Sequence, residues 1–232
     1  MLDQDALRQE ALRINTRYVI EVVEAFGFCP WAEPARREGR VRSVVLLGDG
    51  SDPELLERVC ACIAELQGEP AVDIGLLVFP QVTLQRQPWQ HFAARVRERQ
   101  QPGERQDAFA LADFHPDAAP SLASPEQLVP FIRSSPDPTL QLVRTRALHA
   151  VRLGADPGTR FVDASALGNG LHALLASPPS LSERVARANQ RTVEQLGVEH
   201  VRARLLDIAR DRDGSYGRLG LPLPPWRRAD AP

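Results

Sequence analysis

Lysine is absent from this chain of 232 residues, so all 28 of its basic side chains are arginine. That absence excludes whole mechanisms. No Schiff base can form, which removes lysine-linked pyridoxal phosphate enzymes and Schiff-base aldolases. A P-loop and a protein-kinase site each need a lysine that is not here. The bias reads first as a GC-rich genome, because Arg and Ala are both abundant. Arg and Lys do comparable work on a solvated surface, but not at bidentate sites. A surplus of charge is also lacking: the net charge is -2 and the pI about 6.2, which argues against a general nucleic-acid binder. No apolar run approaches the roughly 20 residues that cross a bilayer, so no membrane partner is expected. The first residues, MLDQDALRQE, carry acids and no apolar stretch, and are not expected to be a signal peptide. Cysteine is scarce, with three residues, Cys29, Cys60 and Cys62. Cys60 and Cys62 stand too close for an ordinary bridge, so reduced thiols and a cytoplasmic location are the expectation.

What is present is an ordinary globular composition, 43% hydrophobic and 25% charged. Residues 5–26 read as a helix stopped by Gly27. Val41 to Leu47 reads as a strand. Asp52-Pro53-Glu54 starts a helix that ends at Gly68, with Pro at the first helical position and acid at the positive dipole end. Val72 to Phe79 is a nearly continuous apolar run, expected to be a central strand. A helix over 88–101 and a strand over Phe109 to Phe114 follow. The middle is therefore β-α-β-α-β, with parallel strands that neighbour or nearly neighbour one another. The fold class is α/β (α+β), with helices on one face of the sheet; a small doubly wound sheet is the alternative. Residues 138–153 are expected to form a helix beginning at Pro138, and GTRFVDA a fourth strand. Residues 180–212 read as a long helix broken near Gly197, with Ser180 and Glu183 as a capping box. One domain is expected, with a core over about 12–165, a helical extension over about 178–213 and a mobile tail over 218–232.

The segments GFCPWAEPAR, VDIGLLVFP, FHPDA and PFIRSSPDPTLQLVR together resemble the bacterial family catalogued as domain of unknown function 1415. The resemblance runs from about Asn15 to about Asn189. It implies a soluble bacterial protein and supplies no reaction, so no site residue is carried over from it.

The residues themselves nominate a site. Cys29 lies between Gly27-Phe28 and Pro30-Trp31, just past a helix end. A Cys on so rigid a loop is a nucleophile if a nearby cation lowers its pKa, and otherwise a small buried hydrophobe. His115 follows the third strand directly. Ligands of α/β layouts bind at carboxyl ends of strands, so His115 suits acid-base work; the bland reading is a His that caps the loop. Asp117 is placed to orient its ring, more easily than Asp113. Arg133 sits in an apolar, Pro-braced segment and needs an acid, a carbonyl or an anionic ligand. Asp137 is its nearest internal partner, and Ser134, Ser135 and Thr139 add hydroxyls around the same point. Arg17 and Arg144 are weaker candidates for the same role. Cys60 and Cys62 point to different faces of one helix and read as packing. The three cysteines with His115 match no common zinc spacing, so no metal ligands are assigned and no cofactor is named.

Three function classes follow. The first is an enzyme acting on a small anionic substrate, with Cys29, His115 and Asp117 doing the chemistry and Arg133 holding the anion. The second is a non-catalytic binder of a metal, haem or metabolite. The third is a protein-interaction module that docks through its Pro-rich loops. The convergence of Cys29, His115 and Arg133 on one pocket is what separates the first two from the third.

Overall fold

The computed structural model describes residues 2–100, 108–118, 121–147 and 181–228. Helix α1 (Gln4–Tyr18) is capped by Asp3, whose carboxylate accepts from Asp5 N and Ala6 N. It runs without a break into a π-helical segment, Val19–Glu24, so the long helix expected over 5–26 is present but widened in its last turns. Gly27, at φ 65°, turns the chain out of it. A short helix α2 (Ala32–Arg37) precedes strand β1 (Val41–Val45). Helix α3 (Leu55–Gln67) begins after an Asp52 turn in which the Asp52 carboxylate accepts from Glu54 N at 2.9 Å. Strand β2 (Ile74–Val78), helix α4 (Arg86–Arg99) and strand β3 (Phe109–Phe114) follow.

The sheet has four strands in the order β1-β2-β4-β3, where β4 is Thr139–Arg144. β1 and β2 are parallel, with Val41 opposite Ile74. β4 runs antiparallel to β2 on one side and to β3 on the other. β1, β2 and β3 therefore share one direction, as the crossover helices require, and β4 fills the gap between β2 and β3. This corrects the first part of the helix expected over 138–153; residues 145–147 are helical and 148–153 lie outside the described residues. Thr139, Gln141 and Val143 alternate with Leu140 and Leu142, and a slot between two strands rewards that period of two over a helical one.

The crossover helices α3 and α4 lie on one face. There Leu55, Val59, Ile63 and Leu66 meet Trp89, Phe92 and Val96 over Leu77, Leu140 and Leu142. Fully burying each such side chain contributes roughly 1.5–3 kcal/mol. The other face is covered too, which the one-sided layout did not anticipate. Ile74 and Leu76 pack against Ala35, Val19 and Trp31, and Val78 packs with Leu7, Ala11 and Tyr216. All five β2 residues are buried in consequence.

The stretch after β3 holds helix α5 (Pro125–Ile132), whose cap Ser124 accepts from Gln127 N. The C-terminal helical region is α6 (Leu181–Leu196) and α7 (Val198–Arg218), separated at Gly197, φ 85°. Ser180 and GTRFVDA lie outside the described residues. The segment expected to be a mobile tail from 218 carries a turn, α8 (Pro225–Arg228), and contacts of its own. Leu219 and Leu221 join the Tyr216 cluster, and the Trp226 ring meets His115 at 4.8 Å between centroids.

Candidate functional site

A cavity of about 400 Å³ opens between β3, α5, α6 and the loop after the π segment. Cys29 and Arg133 both line it. The rest of the wall is mostly apolar, with Phe28, Trp31, Phe114 and Ile132 among its side chains. Its volume lies in the range of small-molecule sites. Val23 of the π segment also lines it, and π turns are frequent at functional sites.

Arg133 caps the C-terminal end of α5. Its neighbourhood is pinned from two directions: Tyr18 Oη donates to the Ile132 carbonyl at 3.0 Å, and His115 N donates to the Arg133 carbonyl at 3.2 Å. The guanidinium carbon stands 5.5 Å from the centre of the Phe114 ring. Among the described residues it forms no ion pair and no hydrogen bond. Burial pulls its pKa down, with Asp113 opposing from a distance. Asp113 itself is engaged by Arg97 at 2.5 Å. Arg133 stays cationic nonetheless, because an arginine does not deprotonate in proteins.

Cys29 is partly buried in the same wall. Burial pushes its thiol pKa up, and the backbone N–H groups of Trp31 and Ala32, with Arg133, pull the other way. Trp31 adds an unmatched donor, since its indole Nε1 is buried with no acceptor among the described residues. The cavity thus holds a cation that lacks an acceptor among the described residues.

The remaining predicted residues are placed elsewhere. His115 is buried, and both ring nitrogens are occupied. Nδ1 accepts from Asp117 N at 3.1 Å, so the neutral ring carries its proton on Nε2 and donates to the Leu84 carbonyl at 2.9 Å. Burial lowers its pKa, which favours that neutral form. The His caps its loop and is not among the residues lining the Cys29 cavity. It is the backbone N–H of Asp117, not the carboxylate, that orients the ring. Asp117, Ser134 and Ser135 line a separate cavity of about 240 Å³ against α7.

The Arg133–Asp137 pair is not formed. Asp137 is fully buried and bonds Arg212 Nε at 2.8 Å and Tyr216 Oη at 2.7 Å. Ser135 and Thr139 donate their hydroxyls to the Asp137 carbonyl, at 2.5 and 2.9 Å. These residues lock the entry to β4 onto α7. Arg144 is likewise spent, on the carbonyls of Val72, Leu66 and Glu69. Arg17 is held by Glu21, Asp207 and Asp211. Cys60 and Cys62 pack in the α3–α4 core, and burial pushes Cys62 up to about 11. Among the described residues no His, Cys, Asp and Glu side chains gather to hold a metal ion. Nor is any helix there long and apolar enough to cross a membrane.

Sequence reading missed the polar residues around the cavity: Gln141 and Asn189 in its wall and Asn15 beyond it. The available signal was each amide interrupting an apolar pattern, as Gln141 does within Leu140 to Val143. A family model described as protein of unknown function (DUF1415) matches residues 11–156. No curated protein and no solved structure matches the chain.

Proposed function

The chain belongs to the DUF1415 family, and we propose that it binds a small organic anion with an apolar body in the cavity beneath Arg133. One observation carries this reading: a half-buried guanidinium faces an apolar cavity with no ion-pair or hydrogen-bond partner among the described residues. A partly desolvated charge without a partner favours an anion that repays the desolvation. The planar fork suits a carboxylate or a phosphate. The apolar walls account for the body of the ligand, because burying each methylene contributes about 0.8 kcal/mol.

A second reading is favoured by Cys29. The nearby backbone N–H groups of Trp31 and Ala32 and the Arg133 charge favour its thiolate, and it stands in the same wall as Arg133. That arrangement supports thiol chemistry on the bound anion, with the thiolate as nucleophile. Burial opposes the thiolate, and an anion pairing with Arg133 would withdraw one of the groups that stabilise it. Binding is therefore the primary reading and covalent catalysis the secondary one.

Titration calorimetry with hexanoate, benzoate and hexyl phosphate tests the first. Binding to wild type is expected, weakened by on the order of 10- to 100-fold in Arg133→Gln, the loss typical of a charge-assisted hydrogen bond. Equal affinity in both proteins would overturn it. Cys29→Ser tests the second: if bound anion is converted by wild type and equally by this variant, the thiol takes no part.

A further inference from the structure

Beside the Arg133 cavity lies a second, smaller space of about 30 Å³. The two share Val23, Phe114 and Gln141 in their walls. The small space is bounded chiefly by apolar side chains of the π segment and of β2, with four polar residues among them. Two of the four are already satisfied. Tyr18 donates its hydroxyl to Ile132, and Thr139 donates to the Asp137 carbonyl. The other two are amides. Asn15 is 3% exposed, and neither Asn15 nor Gln141 makes a side-chain hydrogen bond among the described residues.

A buried amide without a partner costs about 1–3 kcal/mol, and a leucine would fill the Asn15 position without that cost. The buried Asn15 and the half-buried Gln141, both without a partner among the described residues, share one small space and call for a polar visitor. A space of this size holds one hydroxyl, one carbonyl or one water, and no ligand body. Resting on the anion reading above, we infer that the ligand carries a neutral hydrogen-bonding group at the end remote from its anion. That group enters between Val23 and Phe114 and is read by Gln141 and Asn15. The ligand class is thus a small carboxylate or phosphate with an apolar middle and a terminal hydroxyl, oxo or amide group. Arg133 selects for charge, and the two amides select for the far end.

The experiment uses matched probes on the full chain. Butanoate, hexanoate and octanoate are titrated beside their ω-hydroxy counterparts, with dissociation constants from calorimetry. At one chain length the hydroxy acid is expected to bind at least about tenfold tighter, the worth of one good hydrogen bond against an unpaired amide. In Asn15→Leu and in Gln141→Met that ratio is expected to fall to about one. Gln141→Met is nearly isosteric and carries the test where Asn15→Leu fails to fold. If the anions bind but no chain length shows the preference, or if it survives both variants, the inference is overturned and the anion reading stands. It is equally overturned if a structure of the complex shows only an ordered water on the two amides. If no anion binds wild type, or if Arg133→Gln binds as well, the anion reading falls and this inference with it.

Discussion

Arg212 is buried in this protein and Arg133 half-buried, and their partners differ as well. Arg212 is buried with Asp137 on its Nε, Asp213 on one terminal nitrogen, the Pro80 carbonyl on the other and the Tyr216 ring 4.4 Å away. Arg133 faces a cavity with an aromatic ring beneath it and no acceptor among the described residues. The first ties α7 to the sheet. The second is a donor set in waiting. A saturated buried cation is a structural part, and an unsaturated one beside a cavity is a binding part.

The comparison breaks most visibly at the saturated end. Arg212→Ala leaves Asp137 buried and unpaired, and is expected to destabilise the fold by about 3–5 kcal/mol in urea unfolding. Replacing both partners, Arg212→Met with Asp137→Leu, should cost less than the two single changes added together. Additivity would mean that the pair is not coupled.

Arg133→Met should move stability the opposite way, by up to about 1 kcal/mol, because it removes a half-buried cation without a partner among the described residues and adds apolar contact. A stability loss as large as that of Arg212→Ala would erase the distinction between the two arginines.

A smaller effect concerns pH. His115 has a folded pKa below its ordinary 6.5, because burial disfavours the imidazolium. The unfolded chain therefore binds the proton first. The stability tied to the neutral ring is complete above about pH 6.5 and is lost as pH falls toward the folded pKa. Unfolding midpoints should rise with pH through that window and then level off, and His115→Asn should flatten the rise. Asp211, held well below the usual carboxylate range by hydrogen bonds from Arg13 and Arg17, contributes only at lower pH. An unchanged slope in His115→Asn would assign the window to other groups.

The smallest expected effect is at Cys29. Iodoacetamide should modify it more slowly than free cysteine at about pH 8, since burial holds the thiol up, and Arg133→Met should slow it further. Faster modification in that variant would show that Arg133 shields the sulfur instead of stabilising the thiolate. Cys29→Ser identifies the signal against Cys60 and Cys62.

Much of the scaffold was legible because its signals are local. The Asp52-Pro53-Glu54 start, the turn at Gly27 and the break at Gly197 each act within a few residues. β4 was misread because Pro138 and the apolar residues after it satisfy a helix start equally well. Only the open position between β2 and β3 decides for a strand. At the site, Cys29 and Arg133 were legible from their unusual loops, and they do share a cavity. His115 was placed at the right end of its strand, but its nitrogens go to backbone groups, one of them Leu84 across the chain. Asn15 and Gln141 carried a weak signal, since a single amide in an apolar stripe looks like a tolerated exception.

What the sequence by itself determined is an inventory. Without lysine, every fixed side-chain cation is arginine, and arginine cannot shuttle protons at working pH. It also set where helices begin and end, because caps and turns depend on neighbours along the chain. The tertiary structure alone decided which arginine is matched and which is left to face a cavity. The acid that quenches Arg212 lies 75 residues before it, and no local spacing announces it. Burial and pairing are properties of packed surfaces, so the difference between a clamp and a binding site emerged only when those surfaces met.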